Sequence, residues 1–364
     1  MKIKDILNTL EEWAPSAYQE SYDNSGLLVG DADLELTSAL ISLDVTEAVL
    51  DEAITNGCNL IIAHHPLIFN GIKQITPQHW VNRCIIKAIK HDICLYAIHT
   101  NLDNISTGVN AKIADVIGLT HTKILKPKTN KLSRLTTFAP EANAEKVLAA
   151  LFDAGAGKIG NYDNCSFQSS GTGTFRPSKS SNPHIGEADK LEKVNERRIE
   201  VLIPTHRQRG ILQALQNSHP YEEIAYYMDA LSNENQEIGS GVIGKLEKEM
   251  TKDAFLQHLK DTMKLSAIRF TDTNHATIQK VAVCGGSGSF LLQDAVLQGA
   301  DAFVTADFKY HDFFESDSKI MVADIGHYES EAFTKELLYD FLQEKFTNIA
   351  LRLTKVNTNP INYL

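Results

Sequence analysis

Asn59-Leu-Ile-Ile-Ala-His-His-Pro-Leu-Ile-Phe69 decides how the rest of the chain is read. Its apolar run, Leu60 to Ala63, has the length and character of a buried strand. Pro66 then ends the pairing, because proline has no N–H to give to a ladder. Neighbouring residues on a strand point to opposite faces. His64 and His65 therefore converge on one site only where the strand is ending and the backbone turns. Such a pair supplies two imidazole nitrogens to a metal, and the competing reading is a polar turn.

Working outward, the flanks alternate strand and helix. Upstream, residues 2–13 read as a helix with Ile3, Ile6, Leu7, Leu10 and Trp13 on one face. Leu27 to Val29 follow as a strand after the turn residues Asp23, Asn24 and Gly26. Ala39 to Leu43 form another strand, ending in Asp44, and Thr46 N-caps a helix over 47–56 that Gly57 closes. Downstream, a helix over 78–91 leads to the strand Ile93–Ile98, which runs out into His99-Thr-Asn-Leu-Asp-Asn104 and a helix over 105–118. This alternation predicts an α/β sheet, whose functional groups gather beyond the carboxyl ends of its strands. The ends at 64–65 and 99–103 are neighbours if their strands pair.

Near Pro127 the pattern changes. Residues 126–131 read as a polar linker. Beyond it a βαββαβ order runs from a strand at 132–138 to a strand at 223–230, the order of a ferredoxin-like module. Gly239-Ser-Gly-Val-Ile-Gly244 is taken as its end. The expected division is an α/β domain over 1–127 and 246–364, with an inserted α+β domain over 128–245. The second outer part resumes the α/β alternation: helix 251–264, strand 279–284, the turn Gly285-Gly-Ser-Gly-Ser289, strand 302–305 ending in Ala306-Asp307, strand 319–324, and a last helix over 330–345. It also echoes the first. With Ala53 set over Ala295, Gly57 falls on Gly299, and His64-His65 fall on Ala306-Asp307. Two similar α/β halves facing one cleft are expected.

His327 and Glu331 stand i, i+4 where a helix begins, a spacing that puts both on one face. A plain helix-end ion pair is the competing reading. With His64, His65 and Asp103 they make five nitrogen and oxygen ligands without sulfur. That set suffices for two metals when a carboxylate bridges, a part expected of Asp103, and two ions ~3.5–4 Å apart recur in hydrolases. Zinc, iron, manganese, cobalt and nickel all accept such ligands. His99 and His311 are candidates to move protons or to orient a ligand. The glycine-rich turn at 285–289 reads as a tight structural turn, with an anion-holding nest as the alternative.

The motifs Asp23-Asn-Ser-Gly-Leu-Leu-Val-Gly30, Ala63-His-His-Pro-Leu-Ile-Phe69, His99-Thr-Asn-Leu-Asp103, Thr305-Ala-Asp307 with Tyr310-His311, and Gly326-His-Tyr-Glu-Ser-Glu331 resemble the NIF-three-like family of dinuclear-metal proteins. Members of that family are often labelled GTP cyclohydrolase I type 2 homologues. Ser218-His-Pro-Tyr-Glu-Glu-Ile-Ala-Tyr226 looks like the CutA/PII-like insert of its longer members. The resemblance implies that His64, His65, Asp103, His327 and Glu331 are the ligands of two divalent ions per chain. It also implies a toroidal homohexamer whose metal sites face an internal cavity. Ala306 and Tyr22 stand where many members carry Gly and Trp.

Composition excludes several classes. The 364 residues carry a formal net charge of -11 and no long basic run, a poor footprint for nucleic acid. No apolar stretch approaches the roughly 20 residues of a membrane span. The start of the chain reads as an amphipathic helix and not a signal peptide. The five cysteines are scattered, as expected of a cytoplasmic chain and not of a thiolate zinc site. The expected function is metal-dependent hydrolysis of a small nucleotide-like substrate. The alternative is a metal-binding, metal-delivery or regulatory protein without catalysis.

Overall fold

The computed structural model describes all 364 residues as a mixed α/β protein with several sheets. It divides into two compact units, Met1–Lys126 with Ile238–Leu364, and Pro127–Glu237.

The outer unit holds two sheets with a common plan. In the five-stranded sheet, Leu60–Ala63 lies between Ala39–Ser42 and Cys94–Ala97, all parallel, and Gly26–Val29 runs antiparallel on the edge beside Cys94–Ala97. In the six-stranded sheet, Ala302–Ala306 lies between Thr277–Ser287 and Met321–Asp324, again parallel, with the antiparallel edge strand Arg269–Phe270. The alternation of side chains sorts each sheet into two faces. Ile41, Leu60, Ile62 and Tyr96 from one sheet enter the same core as Val281, Val283, Val304 and Met321 from the other. Helices Ile3–Trp13, Val109–Ile117, Lys252–Met263 and Thr334–Lys345 contribute Leu10, Ile113, Phe255 and Leu338 to that core. Each such buried side chain contributes roughly 1.5–3 kcal/mol. The outward faces are covered separately, the first sheet by helices Glu47–Thr55 and Trp80–Lys90.

Three expectations are corrected. Half of the supposed linker, residues 126–128, is strand: Leu119–Lys128 sits on the edge of the six-stranded sheet, where most of its threonines and lysines face water and hide its pairing from a hydropathy reading. The glycine stretch at 239–244 belongs to a long strand, Asn235–Thr251, which pairs Val242 with Val283 and Gly244 with Val281. A Cβ on Gly244 would press on Thr120 and Thr122, so glycine there permits close packing rather than ending an element. The division between the compact units accordingly falls near the start of this strand, after Glu237. Last, the helix expected over 330–345 is two, His327–Glu331 and Thr334–Lys345.

Pro127–Glu237 contains an antiparallel four-stranded sheet in the order Ser166–Phe175, Glu192–Pro204, Leu132–Pro140, Tyr226–Leu231. Helices Ala144–Asp153 and Gln208–Ser218 pack Val147, Leu151, Ile211 and Leu215 against Leu135, Ile199 and Val201 on one face. Register puts Phe138, Glu196, Arg198 and Tyr227 on the other.

Candidate metal centre

Strand register gathers the site. Ala63 pairs with Ala97, so His64 and His65 leave one strand beside Ile98 and His99 leaving the next. His64 N–H and His65 N–H still donate to the Ser42 and Leu43 carbonyls, which fixes the pair as the strand ends. In the second sheet Thr305 pairs with Asp324, and Asp307 and His327 emerge beyond.

The four imidazoles share one device. His64 Nδ1 lies 2.8 Å from the Ile98 carbonyl, His65 Nδ1 2.7 Å from Asp44, His99 Nδ1 2.7 Å from Asp23, and His327 Nδ1 2.6 Å from Asp307. Each partner is an acceptor, so Nδ1 carries a proton and Nε2 is the nitrogen turned toward the other ligand groups. Carboxylate or carbonyl partners of this kind fix the tautomer and ring of a metal-ligating histidine. The ligand atoms fall into overlapping groups, each within 4.8 Å: His64, Asp103 and Glu331; His65, His327 and Glu331; and His64, His65 and His99. Glu331 is the carboxylate common to two of them. Its Oε2 is 2.9 Å from His65 Nε2 and 3.1 Å from His327 Nε2, and its Oε1 is 3.8 Å from His64 Nε2. Asp103 joins one group and Glu331 two, because the helix of Glu331 projects it between the two strand ends. Asp103 stands with His64 at 3.6 Å.

The donor set fits a metal ion on a direct observation. His64 Nε2 and Asp103 Oδ1 are buried and without a hydrogen-bond partner, although buried polar atoms are nearly always paired. Electrostatics agree. Burial opposes charge on His65, yet Asp44 and Glu331 push it up to about 10. Burial likewise opposes charge on His327, and Glu331 and Asp307 push it up to about 9. Burial holds His64 below its ordinary value. Asp103 is driven well above the carboxylate range by burial and then by the charge of Glu331. Glu331, against its burial, is held well below that range by its three histidine neighbours. Carboxylates in competition and imidazoles that gather charge despite burial mark a place where positive charge is needed.

The surroundings press in closely. Gly286 has φ +58, and a Cβ on it would come within 2.5 Å of Glu331 Oε1. Gly286 N–H donates to Ser330 Oγ and Gly285 N–H to Asn110 Oδ1, so these two donors are spent on the fold rather than on an anion. Asp307 holds His327 from a left-handed backbone, φ +56, which aspartate tolerates better than most residues. Thr358 Oγ1 donates to Asp44 Oδ2 at 2.5 Å, and Asn359 Nδ2 to Glu329. His311 stands outside these groups: it is exposed, with Tyr310 and Phe314 as its ring neighbours.

Sequence reasoning missed Asp44 and Asp307 as partners of ligands and Asp23 as the partner of His99. The signal was present. Asp44 and Asp307 both close apolar strands, and the internal echo sets Asp307 over His65.

A model of the Duf34/NIF3 (NGG1p interacting factor 3) family matches residues 1–360. Two proteins named GTP cyclohydrolase 1 type 2 homolog are similar throughout. That of Halalkalibacterium halodurans is 38% identical over 99% of this chain and 98% of its own, and that of Bacillus subtilis 37% over 99% and 98%. Among solved structures, a Bacillus cereus protein related to NIF3 superposes with a TM-score of 0.87 at 37% identity, covering 100% of this chain and 99% of that one. With a family model along nearly its whole length and relatives of this closeness, the chain belongs to the Duf34/NIF3 family.

Proposed function

We propose that the chain binds two divalent metal ions and uses them to hydrolyse a small nucleotide-like substrate. The carrying observation is the convergence of His64, His65 and His327 Nε2 on Glu331, with buried, unpartnered atoms on His64 and Asp103. His64, Asp103 and Glu331 would hold one ion, and His65, His327 and Glu331 the other. Bound there, the ions would supply an acidified water and polarise the bond under attack. Asp44 and Asp307 keep the second pair of imidazoles aimed. Asp23 is held below the carboxylate range, against its burial, by hydrogen bonds from His99 and Thr100, so it stays charged and keeps His99 Nδ1 protonated. His99 Nε2 is then the acceptor placed to take a proton and return it. The relatives' name, GTP cyclohydrolase 1 type 2 homolog, supports a purine nucleotide as first substrate to try.

In this reading Pro127–Glu237 is an inserted ferredoxin-like module that supplies no ligand. Family membership supports a homohexameric ring, and the five free cysteines support a cytoplasmic setting. No helix is long and apolar enough to cross a membrane. Chain loaded with zinc, manganese, iron, cobalt or nickel should be incubated with GTP and a panel of phosphoesters. Metal-dependent turnover above one product per chain supports hydrolysis. Tight metal binding with no turnover on any substrate favours the metal-delivery or regulatory alternative.

A further inference from the structure

A cleft of about 720 Å³ lies wholly within Pro127–Glu237, on the sheet face that carries no helix. We propose that it binds a small aromatic organic cation.

Its volume suits a small molecule, since ligand pockets run roughly 300–1,000 Å³. Two segments with no part in the metal centre converge on it: His219-Pro-Tyr-Glu-Glu223, through Tyr221, Glu222 and Glu223, and the loop over 176–185. The walls are aromatic pairs. Phe138 and Tyr227 meet edge to face at 5.9 Å, and Phe175 and Tyr221 meet at a tilt at 5.7 Å. The floor is the flat strand segment Ser169-Ser-Gly-Thr-Gly173. Glu196 lies across it: Tyr221 Oη donates to its Oε1 at 3.0 Å, and its other oxygen rests where a Cβ on Gly173 would stand. Glycine at 173 is what lets a carboxylate lie flat in the cleft.

Charge selects the ligand. Glu196, Glu222 and Glu223 line the cleft against Arg176 and Arg198. Arg198 is already paired with Glu200 at 2.6 Å, which leaves acid in excess. Aromatic faces carry a negative quadrupole and attract a desolvated cation. A half-buried carboxylate in a cleft walled by four rings therefore favours an aromatic ammonium, whose ring stacks on the walls and whose charge meets Glu196. A phosphate or carboxylate ligand would meet three glutamates against one uncommitted arginine and the His184 imidazole.

Three probes sharing one ring separate the terms: tyramine (cation), 4-ethylphenol (neutral) and 4-hydroxyphenylacetate (anion), each titrated calorimetrically into the full chain. Tyramine should bind about tenfold tighter than the other two, in the micromolar to millimolar range. Glu196→Gln and Tyr227→Ala should each weaken tyramine severalfold, with native circular dichroism. Tyr227 is largely exposed and its loss leaves the core intact, so that variant keeps the test alive if Glu196→Gln misfolds. Equal or tighter binding of the anion or the neutral ring overturns the proposal. So does unchanged affinity in both variants. No binding of any probe, as when a second copy of the chain covers the cleft, overturns it too.

Discussion

The two candidate cation positions share the carboxylate of Glu331 and differ in how their histidines are held. His64 is fully buried, and a backbone carbonyl orients it. His65 and His327 keep 22% and 37% side-chain exposure, and carboxylates orient them. A carbonyl cannot be titrated or mutated away, whereas a carboxylate strengthens the imidazole as a donor. The buried position is therefore built for permanence, and the open one for tuning and for access from solvent.

The largest effect should follow loss of the shared group. Glu331→Gln removes the anion common to both positions, and elemental analysis should find both ions gone. Retention of either at full occupancy would break the pairing. Next, Asp44→Asn should weaken only the open position, by roughly 10–100-fold, as losses of such partners do. Competition titration should then resolve one weakened site and one unchanged site. Equal weakening of both would erase the contrast.

Acidity sharpens the comparison in the metal-free chain. His65 and His327, raised to about 10 and about 9, bind more protons folded than unfolded above the unfolded value of 6.5. Their stabilisation is whole below that value and is lost as pH rises through 9 to 10. The melting temperature of metal-free protein should therefore fall across that window. With metal on both Nε2 atoms the fall should disappear. A smaller effect is expected at Thr358→Val, which removes one hydrogen bond to Asp44. Roughly fivefold weaker binding at the open position alone corresponds to the ~1 kcal/mol of such a bond, and Thr358→Ser should restore it. The smallest should come from replacing Pro127–Glu237 by a short linker. Metal content should stay at the native level, and loss from a soluble, folded deletion would show that this unit supports the centre.

Much of this is legible in the sequence because both sheets end apolar strands in ligand-type residues. His64, His65, Asp103, His327 and Glu331, singled out by residue type and position, stand together. His311 does not join them, because Phe308 turns into the core and the chain from Lys309 to His311 lies exposed beyond it. Spacing does not separate Asp103 from Glu331 as the bridge, since it says nothing of which carboxylate lies between two strand ends. Asp23, Asp44 and Asp307 read as turn or strand-end residues, for a partner 20 to 76 positions away leaves no periodic trace. Strands Leu119–Lys128 and Asn235–Thr251 are obscured by solvent-facing polar residues and by glycines that serve close packing.

The most direct test is the metal content of the full chain after saturation with manganese or zinc and exhaustive dialysis, measured by elemental analysis against protein concentration. Two ions per chain are expected, falling toward one in Asp44→Asn, where the open position is weakened, and to none in Glu331→Gln. A native chain that retains no metal, or a Glu331→Gln chain that retains two ions, would contradict that expectation.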